Sequence, residues 1–316
     1  MPEPAISSIK VRNIAIATDF SPCSDRALQH ALAIARQFGA TLHILHIVRP
    51  SEFAMAPEMM TQLSDLAMRD CGNLIADLTI DHRLDEIDYR CWTMDGEVSQ
   101  VMGSFIREQS IDLLVVGTRG RSRVPKFLLG SVAHEIFRFA ACPVLTVGPW
   151  SPGANKRLQL KKVLLSTDLS LESTAAIPYA LTASRVWGTQ LDVLHVCSSG
   201  DSKCQCHLDR LRKMIGNLPD HGGNLAFGRF EVVRGKLSDA VLDFASANHE
   251  DLIVLGLDRW QSMYAGPWWS DAYEIVRQAH CPVLSARAWS RPTGHDEALA
   301  CESDGGHDGS TPQTES

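Results

Sequence analysis

The sequence predicts two tandem α/β domains, each a five-stranded parallel sheet with helices on both faces. Three observations carry this expectation: the chain repeats itself, apolar runs alternate with helical periodicity, and hairpin signals are missing between the runs. Residues 11–48 align without a gap at an offset of 149 with residues 160–197, pairing Thr18 with Thr167, Asp19 with Asp168, Gly39 with Gly188 and His46 with His195. Residues 96–147 align at an offset of 139 with 235–286, pairing Asp112 with Asp251 and Cys142-Pro143-Val144-Leu145 with Cys281-Pro282-Val283-Leu284. A repeat of this length is a whole domain rather than a solenoid unit. The expected boundaries are 1–150, 151–290, and an acidic, disordered tail over 291–316, where Gly, Ser, Asp, Glu and Thr dominate.

Within the first half, residues 14–17 form a short apolar strand. Asp19-Phe20-Ser21-Pro22 then supplies cap and first-turn residues for a helix. Ala27, Leu28, Ala31, Ile34, Ala35 and Phe38 recur at helical spacing until Gly39 stops the run. Residues 42–48 make a second strand, 58–78 a helix, 87–94 a third strand and 97–109 a helix opened by Gly96. A fourth strand covers 113–116, a helix 131–140 and a last strand 143–147. Parallel sheets built this way bind ligands beyond the carboxyl ends of their strands, and Asp19 and Gly117 each follow a strand.

Composition narrows the function. Thirty Lys and Arg against 37 Asp and Glu leave a net charge of −7 with no dense basic stripe, which argues against nucleic acid as a partner. No apolar run approaches the ~20 residues of a membrane helix. Residues 1–10 lack a secretory pattern, so a cytoplasmic protein without membrane contact is expected. The nine cysteines include Cys142, Cys197 and Cys281 inside apolar runs, which predicts reduced, packed thiols rather than a disulfide framework.

The segment from Gly117 to Ser131 reads G-x2-G-x9-G-S between a strand and a helix, with glycines at 117, 120 and 130 and basic Arg119, Arg121, Arg123 and Lys126. Glycines let backbone approach an anion, and the first amides of the following helix attract negative charge. The alternative is that the glycines only turn the chain. With Thr-Asp-Phe-Ser at 18–21, Leu-His-Ile-Val at 45–48 and Cys-Pro-Val-Leu at 142–145, this loop resembles the universal stress protein family, in its tandem two-domain form, over residues 10–288. The resemblance implies Rossmann-like (adenine nucleotide alpha hydrolase-like) domains and binding of ATP or AMP, ATP with Mg2+. It implies Asp19 and Gly117 at the ribose, Ala17 and Ile47 around adenine, and Gly120, Gly130, Ser131 and Val132 at the phosphates, with Thr18 and Arg119 beside them. It also implies an intrachain pseudo-dimer, with the last strands near the junction, and a homo-oligomer. His46 and His195 read instead as hydrogen-bonded core histidines.

In the second half, Arg259 and Trp269 replace the second and third glycines, and Asp258 and Asp271 add negative charge. That copy is expected not to hold ATP. Its Trp260, Tyr264, Trp268 and Trp269 are expected to fill the vacated space, the alternatives being that they cover an interface or take a different, apolar ligand. Cys204, Cys206 and His207 supply ligand types that zinc accepts, although the C-x-C-H spacing differs from paired structural sites and suits plain reduced thiols equally. The G-x-S-x-G, H-R-D, D-F-G, G-x-G-x-x-G and Walker patterns are missing. Together with the resemblance, which implies a stress role and a bound nucleotide, this leaves as the expected role a nucleotide-responsive stress regulator acting on a protein client, with at most weak ATP hydrolysis. A nucleotide-independent scaffold and a slow ATPase are the alternatives.

Overall fold

The computed structural model describes residues 9–48, 57–118, 130–154, 158–167, 175–197, 209, 212–213, 226–257 and 271–287. The first half runs β1 (Asn13–Ala17), α1 (Pro22–Phe38), β2 (Thr41–Val48), α2 (Pro57–Ile80), β3 (Tyr89–Asp95), α3 (Val98–Glu108), β4 (Leu113–Gly117), α4 (Ser131–Phe139) and β5 (Val144–Val147). The described second half runs β6 (Lys162–Thr167), α5 (Ile177–Trp187), β7 (Gln190–Cys197), β8 (Ala226–Arg234), α6 (Leu237–Asn248), β9 (Leu252–Leu257), α7 (Asp271–Gln278) and β10 (Val283–Arg287). The first-half elements fall where periodicity puts them, to within a few residues at each end.

The ten strands of the described residues lie in one sheet, in the order β3-β2-β1-β4-β5-β10-β9-β6-β7-β8. Within each half the neighbours are parallel, and the second half repeats the strand order of the first. The halves meet where β5 and β10 pair antiparallel, centred on Leu145 opposite Leu284. Thr146 Oγ1 donates to the Val283 carbonyl at 3.0 Å, and its repeat mate Ser285 donates to the Val144 carbonyl at 3.2 Å. The junction thus has a pseudo-twofold axis. His134 of α4 and its mate Tyr273 of α7 meet edge to face across it, ring centres 5.9 Å apart.

Alternate residues of the central strands feed two cores, as a sheet covered on both faces requires. Ile14, Ile16, Leu42, Ile44 and Val115 pack under α1, α2 and α5, while Ala15, Leu45, Leu114 and Val116 pack under α3, α4, α6 and α7. Helix α1 starts where Ser21 accepts the Ser24 N–H at 3.2 Å and ends at Gly39, which takes the left-handed φ of 61° that closes a helix without a Cβ penalty. Asp112 fastens the start of β4 to that of β1: its Oδ2 accepts the Arg12 and Asn13 N–H groups at 2.7 and 2.9 Å. Asp251 does the same for Lys161 and Lys162, at 2.7 and 3.1 Å.

One cysteine departs from expectation. Cys197, at the end of β7, is disulfide-bonded rather than reduced, to a partner outside the described residues. Cys142 and Cys281 are buried free thiols, both pushed up to about 12 by burial.

Candidate nucleotide crevice

The strand order reverses between β1 and β4, which lie side by side, so their carboxyl ends diverge into a crevice. Ala17, Thr18 and Asp19 enter it from β1, Ile47 from β2, and Gly117 and Thr118 from β4. The Thr118 carbonyl accepts the Gly130 N–H at 2.9 Å, which ties the start of α4 back to the end of β4 although eleven loop residues separate them. Gly130 is the N-cap of α4; it has no side chain to cap with, and no acidic residue stands in the helix's first turn. The positive end of α4 therefore meets the crevice without a carboxylate in its first turn to neutralise it.

The β1–α1 turn is held by its own hydroxyls. Thr18 Oγ1 accepts the Phe20 N–H at 3.0 Å and donates to Ser24 Oγ at 3.1 Å, so its side chain is turned into the protein while its backbone borders the crevice. The Asp19 carboxylate accepts the Ser21 N–H at 3.1 Å, leaving Ser21, not Asp19, as the cap of α1. His46 donates from Nδ1 to the Thr18 carbonyl at 2.7 Å, and His195 makes the same bond to Thr167 at 2.8 Å. Both histidines are thus the structural residues that their apolar strands suggested. Ala17, Ile47 and Val132 are half-buried on the face that carries α3 and α4.

Gly117 is a glycine for a packing reason as well. A Cβ there would lie 2.9 Å from the backbone carbon and oxygen of Cys23, so any side chain would drive the first turn of α1 away from β4. Sequence reasoning missed the part that two residues play here. Phe20 holds a φ of 59°, unusual for a bulky side chain, and places its ring 4.7 Å from the His46 ring. Met94, paired with Ile47 in the sheet, extends the half-buried apolar wall beyond it. Phe20 stands inside the Thr-Asp-Phe-Ser motif, but its contribution is a backbone conformation that the motif does not announce, and that of Met94 is a register.

Arg119 and Gly120 lie outside the described residues, as do the Ser131 side chain, the tryptophan-rich loop over 258–270 and the zinc candidates Cys204, Cys206 and His207. Among the described residues no group of three or more His, Cys, Asp or Glu is placed to hold a metal. Nor, among them, is any helix long and apolar enough to cross a membrane.

In the second half the equivalent helix start is different. Asp271, the repeat mate of Val132, opens α7, and its carboxylate accepts the Ser238 N–H at 3.3 Å. Glu274 also stands in that first turn, bonded by Lys236 Nζ and Ser238 Oγ. This positive helix end is answered within the chain.

A doubly wound sheet with an anion-attracting helix start at its switch point defines a class of ligand-binding α/β proteins. A sequence model described as the universal stress protein family matches residues 10–148. The chain is 31% identical over 139 residues to universal stress protein MJ0531 of Methanocaldococcus jannaschii, an alignment covering 43% of this chain and 81% of that protein. It is 30% identical over 140 residues to universal stress protein A homolog 1 of Coxiella burnetii, covering 43% and 95%. A solved universal stress protein from Archaeoglobus fulgidus, 16% identical, shares the fold over 88% of this chain and 99% of its own, with a TM-score of 0.66. This chain belongs to the universal stress protein family.

Proposed function

We propose that the first half binds an adenine nucleotide, ATP with Mg2+ or AMP, in the crevice between β1 and β4, and that the second half does not. The observation that carries this reading is the start of α4, fixed to β4 through Gly130 and free of acidic residues in its first turn. In this reading the phosphates lie against Gly120, Gly130, Ser131 and Val132, with Arg119 adding charge. The ribose lies near Asp19 and Gly117, and adenine against Ala17 and Ile47 beside the Thr18 backbone. Cradling phosphate is not the same as orienting a nucleophile, so the protein acts as a cytoplasmic stress-response regulator whose occupancy alters a surface read by a client or a second copy of the chain.

The test is calorimetric titration of Mg-ATP and of AMP into nucleotide-stripped protein, beside Gly130→Trp, which copies the bulk of Trp269. One site per chain, lost in the variant, is expected. Saturation at ~100 times the dissociation constant should add ~2.7 kcal/mol to thermal stability. No heat and no thermal shift would overturn the reading in favour of a scaffold, and sustained phosphate release would make the protein a slow ATPase.

A further inference from the structure

The helix whose start meets the crevice is gripped at its far end by the other half. Arg287, the last residue of β10, donates from Nη1 to the Ala140 carbonyl at 3.2 Å and from Nη2 to the Phe137 carbonyl. Ala140 is the C-cap of α4, its own N–H bonded back to the Ile136 carbonyl. The last carbonyls of a helix have no partner within it and carry the negative end of its dipole, so the guanidinium meets two of them with charge-assisted bonds.

The repeat makes this grip one-sided. Ala279 is the mate of Ala140 and closes α7 in the same way, its N–H donating to the Ile275 carbonyl at 2.8 Å, against 2.9 Å for Ala140 to Ile136. The mate of Arg287 is Gly148. Gly148 stands in the matching place, since a Cβ there would lie 3.5 Å from the Ala279 carbonyl oxygen, but it has no side chain to reach with. The helix that receives the arginine is the one with no acid in its first turn, whereas α7 opens on Asp271.

Position is what such a contact supplies. Helix α4 has nine residues and is about 13 Å long, so a shift at one end is a shift at the other. Its flank is lodged in the core through Ala133, Ile136 and Phe137, and its start is tied by the Gly130 N–H to the Thr118 carbonyl. Apolar contact is non-directional, whereas hydrogen bonds weaken steeply with angle and distance, so the bonds at the two ends are what oppose sliding along the helix axis. We propose that Arg287 is a positioning residue for the start of α4, through which the second half sets the nucleotide affinity of the first. The inference rests on the nucleotide reading above and adds a regulator of that site within the chain. Whatever moves β10 moves the site, and by linkage the bound nucleotide tightens the hold of Arg287.

The test titrates Mg-ATP by calorimetry into the wild-type chain, Arg287→Gly, Arg287→Lys and Asp251→Ala. The glycine variant copies the repeat residue, and Asp251→Ala loosens the second half away from α4. Arg287→Gly should bind roughly five- to tenfold more weakly, the scale of a modest coupling between sites. Arg287→Lys keeps a charged donor and should recover part of that loss, and Asp251→Ala should bind like the wild type. The Nε–H resonance of Arg287, assigned by its loss in Arg287→Lys, should shift saturably as the wild-type chain takes up Mg-ATP. A wild-type chain that binds no Mg-ATP removes the nucleotide reading and this inference with it. Wild-type binding with an unchanged dissociation constant in Arg287→Gly removes the inference alone. So does an equal loss in Asp251→Ala, which would mark a general effect of lowered stability, or a lysine variant as weak as the glycine one. If Arg287→Gly does not fold, the Arg287 resonance decides, and no shift at saturating Mg-ATP overturns the proposal.

Discussion

The two halves share a strand order, a histidine bond from β2 or β7 to the preceding turn, and an aspartate fastener, yet the starts of α4 and α7 are opposites. Helix α4 opens on Gly130 and presents Val132; helix α7 opens on Asp271, with that carboxylate and Glu274 engaged by Ser238 and Lys236. Glu135 is the mate of Glu274, so that acid is common to both helices, and the exchange of Val132 for Asp271 is the added charge that separates their starts. A duplicated fold therefore keeps its scaffold bonds while one position at the end of a helix dipole exchanges an apolar side chain for a carboxylate.

The strongest way to break this comparison is to transplant that position. Val132→Asp puts a carboxylate within a turn of the proposed phosphates, where a like-charge contact at ~4 Å costs up to about 4 kcal/mol at intermediate dielectric. The expected result is ATP binding weakened by about a hundredfold, with Val132→Thr, similar in shape and uncharged, close to wild type. Equal affinity for the Asp and Thr variants would show that the first turn of α4 does not face the phosphates.

A second experiment sharpens the shared part. Asp112 and Asp251 each accept two backbone N–H groups, so Asp112→Ala and Asp251→Ala should each destabilise the chain by about 2 kcal/mol, read by denaturant unfolding. Similar losses would mean that the fastener works alike in both halves. A loss confined to one would mean that the repeat has diverged in its scaffold as well.

Much of this was legible before any coordinate. The repeat frame located the strands, Ala27 to Phe38 announced the buried stripe of α1, and the exchange of Val132 for Asp271 is visible in the alignment. What remained hidden are contacts between distant residues. Asp112 and Asp251 align plainly, but nothing local says that each reaches back across the sheet to the start of β1 or β6. Thr146 and Ser285 look like ordinary strand residues until β5 and β10 are paired. Phe20 gives no sign of its left-handed backbone, which goes with an N–H donated to the Thr18 hydroxyl and so with a local turn rather than a residue type. The disulfide at Cys197 ran against a composition argument that treats every cysteine in an apolar run alike.

The smallest expected effect concerns a difference with no bearing on ligand binding. Asp192 and Glu250 are buried together in the second half, where the first has His43 and Ile111. Burial, and then the negative charge of Asp192, push the Glu250 carboxyl up to about 8. The sign follows from proton counting. Between the ordinary value of 4.5 and about 8 the folded chain keeps a proton that the unfolded chain has released, so this group's contribution to stability is fullest below 4.5 and declines as pH rises to 8. Glu250→Gln removes the ionisation but still buries an amide with its own desolvation cost, so the net gain at pH 8 should be on the order of 1 kcal/mol. Unfolding midpoints measured from pH 5 to pH 8 should diverge in favour of the variant towards the alkaline end. Parallel curves would mean that Glu250 is already ionised in the folded protein, with a cation or water meeting its charge, and would remove this asymmetry from the comparison.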